Sequence, residues 1–364
     1  MYITSAGSKN TFAYERLIEL TILSVIDPED YFICGAGYEL PLRYGIFAKK
    51  TIQDQKMSST FSSDSFARES MSIWTGSSKD SWFNIERLIK SRSLLSAELE
   101  GKVLTEGFYE ISADIARTGY NDSCFMVIKV VPQANAWKKK VVYTENLHQV
   151  DFADQAIRLK QLAKLYHPRE IIIDGNGIGT GVVEALVSQQ WDKKGQYWAP
   201  LYVSNDPDNY PYPKDEKDRA IIYNFKANAA LNNDIYSNLF IQINNGHVQL
   251  LANERVVKEK LLATKKGQKM SYLAKEKFLL PYVMTSRLID ELNNLKLKPT
   301  GVQGQIAVEQ ISKRINKDRV SALGYGLYRI KYYEDEEFRR KKRSLFGGKS
   351  MAFFSPSTDR RKKR

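Results

Sequence analysis

Three apolar runs rich in β-branched residues follow one another at residues 108–114, 123–131 and 140–146. Polar or proline-containing segments separate the runs, which predicts an antiparallel three-strand meander. Asp151 then precedes a helical pattern that ends at Pro168, and residues 170–174 form a fourth strand. Because a helix is the natural crossover to a parallel strand, this order predicts an α/β domain with a mixed sheet.

Aspartates stand at the ends of these elements. Asp114 closes the first apolar run, Asp174 closes the fourth strand, and Asp318 opens a helical pattern through Val320 and Leu323. Two strand ends and one helix start can converge on one site. Hard divalent ions take oxygen ligands from a few carboxylates, and two such ions about 3.5–4 Å apart can support in-line phosphodiester hydrolysis. Asp114 or Asp174 alone is explained equally well as a turn former or helix cap, and Asp318 alone is better explained as a cap. It is their joint occurrence that favours a site.

Other kinds of site are disfavoured by composition. The histidines are His148, His167 and His247, with no pair at helical ligand spacing, so a zinc site is not predicted. Cys34 and Cys124 are too few for a disulfide framework, and no nucleophile-elbow motif is present. No apolar stretch of about 20 residues occurs, so we expect no membrane partner and a reducing cytoplasm.

Three motifs around the aspartates carry a family resemblance. They are Ser112-Ala113-Asp114-Ile115-Ala116 with Gly119 and Asp122, Ile171-Ile172-Ile173-Asp174-Gly175-Asn176-Gly177-Ile178-Gly179, and Lys317-Asp318-Arg319-Val320-Ser321-Ala322-Leu323. In type, order and wide spacing they resemble the three nuclease motifs of the tailed-phage terminase large subunit, the viral DNA-packaging motor. The resemblance extends over roughly residues 1–332.

The resemblance implies a ribonuclease-H-like mixed-sheet nuclease domain at residues 106–333. It implies two Mg²⁺ or Mn²⁺ ions and endonucleolytic cutting of concatemeric double-stranded DNA in the host cytoplasm. On this hypothesis Asp114 bridges both ions, Asp174 completes one, Asp318 completes the other, and Asp122 is an additional candidate ligand. The portal protein and the terminase small subunit are the implied protein partners.

Residues 1–105 resemble the end of a terminase ATPase domain and a linker, a partial P-loop-ATPase-type α/β segment. Strand-like residues 1–4 and 31–34 alternate with helical patterns at 11–24 and 40–55. Thr4 and Ser5 occupy the position of the family's motif that couples ATP hydrolysis to DNA movement. No Gly-x-x-x-x-Gly-Lys-[Ser/Thr] loop occurs, so we expect no ATPase activity from this chain alone and a missing or separate ATPase portion as partner.

Basic residues form two candidate DNA-binding regions. The first contains Lys258, Lys260, Lys265, Lys266 and Lys269, which could track a phosphate backbone or form a solvated face. The second is a basic C-terminal tail, residues 334–364, predicted to be flexible and including Arg340, Lys341 and Lys342. Residues 339–364 of this tail carry +10 of the net charge of +13. Composition leaves DNA binding, portal docking and a solubilising role open for this tail.

Some local patterns permit more than one structure. Residues 221–232 are predicted as a helix, and residues 240–243 and 247–250 as a hairpin around Asn244-Asn245-Gly246. The glycines of 175–181 are predicted to leave room for metal and phosphate beside Asp174, although a plain turn also explains them. Alternatives to a terminase nuclease are another ribonuclease-H-like nuclease, of resolvase or transposase type, and a non-catalytic DNA-binding or portal-docking module.

Overall fold

The computed structural model describes a large part of the chain. The described residues are 6–7, 12–57, 66, 70–74, 81–116, 122–133, 136–210, 212, 213, 215, 218, 220–226, 228–298, 306–313 and 315–346. None of the helices in these ranges combines the length and apolar composition needed to cross a bilayer.

Within these ranges the chain forms an α/β structure. The strands are β1 (Phe108–Asp114), β2 (Ser123–Val131), β3 (Lys138–Leu147), β4 (Ile171–Asp174), β5 (Gln190–Trp191), β6 (Tyr197–Trp198), β7 (Tyr202–Val203), β8 (Ala220–Phe225), β9 (Val248–Gln249), β10 (Leu295–Lys298) and β11 (Ala307–Gln310). The helices are α1 (Phe12–Ile26), α2 (Glu39–Arg43), α3 (Lys49–Met57), α4 (Ile85–Ser91), α5 (Phe152–Tyr166), α6 (Gly179–Leu186), α7 (Ala229–Asn244), α8 (Glu254–Leu262), α9 (Lys265–Lys269), α10 (Tyr272–Asn293) and α11 (Asp318–Phe346).

A seven-stranded mixed sheet organises the domain, with strand order β7-β8-β4-β1-β2-β3-β9. Strands β1, β2 and β3 are antiparallel neighbours, which confirms the predicted meander. Strand β4 is parallel to β1, and β8 is parallel to β4, as a helical crossover requires. An antiparallel meander extended by parallel strands on the β1 side is the ribonuclease-H-like arrangement that the sequence predicted.

The two faces of the sheet bury different helices because side chains alternate along each strand. On β1, Tyr109, Ile111 and Ala113 pack into the cluster that contains residues of α5 and α6. On β2, Met126 and Ile128 pack into the opposite cluster, which contains residues of α7, α10 and α11. Helix α5 begins at the predicted cap, since the Asp151 carboxylate accepts the Asp154 N–H at 2.8 Å.

Helix α11 lies close to the strands that it crosses. A Cβ built on Gly326 would stand 2.6 Å from Ile128 Cδ1 and 3.0 Å from Ser112 Oγ. Only a glycine lets the helix backbone approach β1 and β2 this closely without displacing those side chains. The depth of this packing sets where the N-terminal end of α11, and therefore Asp318, stands relative to the sheet.

Several local predictions are wrong. Of the helix predicted over 221–232, residues 221–225 lie instead in β8, and helix α7 begins only at Ala229. Ile222 and Phe225 are buried in the sheet, and a short apolar run does not distinguish a strand from a helix. The predicted hairpin over 240–250 is instead the end of α7 followed by β9, which pairs with β3. Asn245 and Gly246, with φ +67° at the glycine, terminate a helix instead of turning a hairpin.

The two ends of the chain also differ from expectation. Residues 31–34 are irregular rather than a strand, and the other predicted strand, residues 1–4, lies outside the described residues. The described part of residues 1–105 contains α1 to α4, and Leu94 forms an isolated β-bridge with Leu251. Backbone hydrogen bonds also join this part to the sheet, such as the one that the Glu98 N–H donates to the Val142 carbonyl at 3.1 Å. Helix α11 continues to Phe346, so the first residues of the predicted flexible tail are helical.

Candidate active site

The alternation along the strands places two of the aspartates on the face covered by α11. Asp114, the last residue of β1, is on the same face of the sheet as Glu110 and Ser112. Ile111 and Ala113 are on the opposite face, towards α5 and α6. Asp174, the last residue of β4, is on the same face of the sheet as Ile172, and Ile172 packs against Tyr325 of α11. Strands β1 and β4 are hydrogen-bonded neighbours, with Ala113 opposite Ile173. The two carboxylates therefore leave the same edge of the sheet on the same face.

Asp114 is the acid most affected by this environment. Burial raises the pKa of Asp114 to about 8, and the negative charges of Asp318 and Asp174 act in the same direction. The Ser321 hydroxyl donates to Asp114, and the positive charge of Lys317 opposes the shift. Asp114 thus senses the charges of both other acids, which lie on β4 and α11.

Asp174 is held by two donors. Its Oδ1 accepts the backbone N–H of Asn176 at 3.1 Å, and its Oδ2 accepts the phenol of Tyr325 at 3.2 Å. Tyr325 is buried, and burial together with Asp114 and Asp174 raises the pKa of its phenol. The phenol is therefore a neutral donor that fixes the orientation of the Asp174 carboxylate.

Asp318 is the first residue of α11, and the start of this helix is fixed from α10. The buried carboxylate of Glu291 accepts the backbone N–H groups of Arg319 at 2.9 Å and Val320 at 3.1 Å. The Arg319 guanidinium pairs with the same carboxylate. Glu291 thus caps α11 from another helix and satisfies amides that would otherwise lack partners.

The Asp318 carboxylate has its own partners. Asn316 Nδ2 donates to it at 3.3 Å, and the backbone N–H of Asp122 also donates to it. Burial raises the pKa of Asp318, Arg319 lowers it, and Asp122 raises it. Asp122 therefore lies against Asp318, on the side of the site formed by the start of β2.

The side chain of Asp122, the additional candidate ligand, is already engaged. Its carboxylate contacts His148 Nδ1 at 2.7 Å and accepts Asn146 Nδ2 at 3.2 Å. His148 is exposed, whereas Asp122 is half-buried. The structure therefore places Asp122 at the site through its backbone, with its carboxylate turned to an imidazole.

The glycine-rich turn after β4 is tightly packed. A Cβ on Gly179 would stand 1.8 Å from the Asp174 carbonyl oxygen, and one on Gly175 would stand 1.8 Å from Asn224 Oδ1. Gly177 has φ +55°. These positions require glycine for the turn itself, which returns the chain from β4 into α6.

The other predicted site residues are distributed elsewhere. The five lysines Lys258, Lys260, Lys265, Lys266 and Lys269 are exposed on α8 and α9. Among the described residues, no ion pair or hydrogen bond joins them to Asp114, Asp174 or Asp318. Arg340 and Lys341 lie on α11 and pair with Glu336 and Glu337 one turn earlier; Lys342 belongs to the same helix. Thr4 and Ser5 lie outside the described residues.

The acids are near one another without forming a ready-made ion cage. Within the described ranges, no three His, Cys, Asp or Glu side chains are grouped closely enough to hold a metal ion as they stand. The negative charges of Asp174 and Asp318 repel that of Asp114, and this repulsion also raises the pKa of Asp114.

The structure adds residues that the sequence patterns did not single out. Glu291 and Tyr325 reach the site from positions 28 and 151 residues away from their hydrogen-bond partners. His148 enters through Asp122. A buried tyrosine or glutamate inside an amphipathic helix gives no local signal of such a contact, so only the tertiary packing identifies these residues.

Comparison with solved structures found similar chains among phage large terminases. The large terminase nuclease from thermophilic phage G20c with bound magnesium is 16% identical, with 69% of this chain and 97% of that chain covered and a TM-score of 0.41. The Thermus phage P74-26 large terminase nuclease domain is 16% identical, with 66% and 91% covered and a TM-score of 0.35. A large terminase from another thermophilic bacteriophage is 11% identical, with 88% and 60% covered and a TM-score of 0.35. No protein-family model and no curated protein matches the chain.

The raised pKa of Asp114 predicts a pH-dependent stability. In metal-free protein the folded state holds the Asp114 proton up to about pH 8, whereas the ordinary value is 3.8. The contribution of Asp114 to the free energy of unfolding is therefore fully present below pH 3.8, the ordinary pKa of an aspartate, and is lost as the pH rises towards 8. In urea unfolding with chelator, Asp114→Asn should gain stability over the unaltered protein as the pH rises from 4 to 8.

The exposed Asp208 provides the matched control. Asp208→Asn should follow the unaltered protein at every pH. A stability difference for Asp114→Asn that is the same at pH 4 and pH 8 would contradict the electrostatic account of the site.

Proposed function

We propose that this chain is a metal-dependent DNA endonuclease with a ribonuclease-H-like nuclease domain. The observation that carries the proposal is the convergence of Asp114, Asp174 and Asp318 from two adjacent strand ends and one helix start. The charges of Asp174 and Asp318 both act on Asp114. A buried carboxyl whose pKa is raised by two neighbouring acids belongs to an arrangement that suits cations rather than fold stability.

The donor set fits hard divalent ions. It consists of carboxylate oxygens, which Mg²⁺ and Mn²⁺ prefer, and Cys124 nearby is buried in the core. Because no three acids are grouped as a cage in the described ranges, ion binding requires side-chain rotation of the aspartates toward a shared centre. Two ions bound there would supply charge neutralisation at a phosphodiester and an activated water.

The residues of the chain have separate roles in this proposal. The carboxylates of Asp114, Asp174 and Asp318 would hold the ions. Tyr325 and the Asn176 N–H hold Asp174 in place. Glu291 fixes the start of α11 and with it the position of Asp318. Such support fixes the backbone positions and the starting orientations of the ligands, so ion binding has to order only the remaining side-chain movement.

DNA is the proposed substrate. The exposed lysines of α8 and α9 offer positive charge for the phosphate backbone. Arg340 and Lys341, near the end of α11, are further basic residues, each paired with a glutamate one turn earlier. Backbone contacts of this kind are blind to sequence and weaken with added salt.

The broader proposal is that the chain is the nuclease-bearing part of a viral terminase large subunit, acting in the host cytoplasm. The three motifs around the aspartates and the ribonuclease-H-like sheet support it. On this proposal the chain cuts concatemeric double-stranded DNA. It works with an ATPase portion, a portal protein and a terminase small subunit.

The first test is nicking of supercoiled plasmid with Mg²⁺ or Mn²⁺ and with chelator. The unaltered chain should nick DNA only with metal, and Asp174→Asn should lower the rate by at least the roughly 10–100-fold that loss of an outer-shell metal partner costs. Asp208→Asn, an exposed control, should nick at the unaltered rate. Binding of DNA by all three proteins without nicking under either metal would favour a non-catalytic binding module.

The hydrogen bond from Tyr325 makes a separate prediction. Tyr325→Phe removes only the hydroxyl that donates to Asp174, so the Mn²⁺ concentration for half-maximal nicking should rise by roughly 10-fold or more. The fold-decrease in nicking rate at saturating Mn²⁺ should be smaller than the fold-increase in the Mn²⁺ concentration needed for half-maximal nicking. Tyr332→Phe, on the same helix and exposed, is the control. An unchanged half-saturation in Tyr325→Phe would show that this phenol does not position Asp174.

A further inference from the structure

A cavity lies one strand away from Asp174. It is formed by the C-terminal end of β8, the segment after β7, the first turn of α7 and one side of α11. Phe225 of its wall is the register partner of Asp174 on the adjacent parallel strand. Neighbouring strands lie about 4.8 Å apart, and one nucleotide of a DNA strand advances about 3.4 Å along the helix axis. The cavity is therefore within reach of a nucleotide next to one held at the aspartates.

The size of the cavity and its aromatic walls limit what can fill it. Its volume is about 260 Å³, and Tyr223, Phe225 and Tyr328 supply three aromatic rings. Phe225 and Tyr328 meet edge to face, with ring centroids 6.0 Å apart. Drug-sized ligands occupy about 300–1,000 Å³, so this cavity suits a single planar ring system. Aromatic side chains bind nucleobases by stacking, whatever the base.

The charge in the cavity favours a neutral occupant. Asp206 and Lys226 are its formally charged lining residues, and they pair with each other at 2.9 Å. The Lys226 side chain is largely exposed at the rim, whereas that of Asp206 is mostly covered. An anion such as a phosphate would gain little from a cation that already has a carboxylate partner, so a base fits better than a phosphate.

Asn224 contributes its backbone to the cavity wall. Asn224 is 5% exposed, and its Oδ1 is buried without a hydrogen-bond partner among the described residues. Its backbone N–H and carbonyl both bond to the side chain of Asn205. Side chains alternate along β8, so the Asn224 side chain points away from Tyr223 and Phe225 and lies against Gly175. The side chains that face the cavity from β8 are therefore the two aromatic ones.

We infer that this cavity binds one unstacked nucleobase of the DNA strand, beside the position of cleavage. The inference rests on the proposed function for the identity of the strand. A base inside a duplex cannot enter a concave pocket, so the nucleotide must leave the stack or lie in a single strand. The rings of Tyr223, Phe225 and Tyr328 would contact the base, and the Asp174 side of the same sheet edge would receive the neighbouring phosphate.

The experiment follows the methyl groups of Leu231, which also lines the cavity. In the full chain with ¹³C-labelled leucine methyls and chelator, thymidine or deoxyadenosine should shift the Leu231 signal. The exposed Leu273 on α10 should not shift. Inorganic phosphate should leave both signals unchanged. Tyr328→Ala should weaken nucleoside affinity about fivefold or more, whereas Tyr328→Phe, which keeps the ring, should not.

Two results would overturn the inference. One is a Leu231 shift produced by phosphate as strongly as by nucleoside, and the other is no nucleoside shift or an affinity unaffected by Tyr328→Ala. The titration needs neither metal nor DNA cleavage, so its result tests the cavity independently of the nicking assay. A chain that binds nucleosides here but never nicks DNA would contradict the endonuclease, and one that nicks without binding them would contradict the pocket.

Discussion

The close packing of α11 on the sheet is the contact on which the site depends. Gly326 lets the helix backbone approach Ser112 and Ile128 where any Cβ would overlap them. Glu291 caps the start of the same helix from α10. Together these contacts fix both the depth and the N-terminal position of α11. Asp318 is thereby carried from a point far along the chain to the edge where β1 and β4 end, so the acids form one electrostatic unit.

That unit opposes folding in the absence of a cation. Burial, Asp318 and Asp174 all raise the pKa of Asp114, and each ionised carboxylate makes the next harder to ionise. The surrounding donors, from Ser321 to Asp114 and from Tyr325 to Asp174, offset part of this repulsion. Electrostatic strain kept in one place by well-packed surroundings is characteristic of sites that bind ions or substrates.

The sequence was most informative where the alternation of apolar and polar residues over a few positions determined the structure. Alternation along β1 to β4 predicted the meander, the crossover and the ends at which Asp114 and Asp174 stand. It was least informative where long-range packing decided between alternatives. The polar end of α7 resembles a hairpin turn because asparagine and glycine serve both structures. The contact between Tyr325 and Asp174 joins residues 151 positions apart, which no local pattern encodes. Asp122 was placed near the site, but its pairing with His148 depends on β3 and was not predictable.

The most direct test of the central claim is to locate Mn²⁺ by anomalous scattering in crystals of the full chain. The account predicts two peaks about 3.5–4 Å apart, with Asp114 contacting both and with Asp174 and Asp318 contacting one each. Asp114→Asn crystals should lose at least one of them. Well-ordered crystals in saturating Mn²⁺ that show no peak among these three aspartates would contradict the claim.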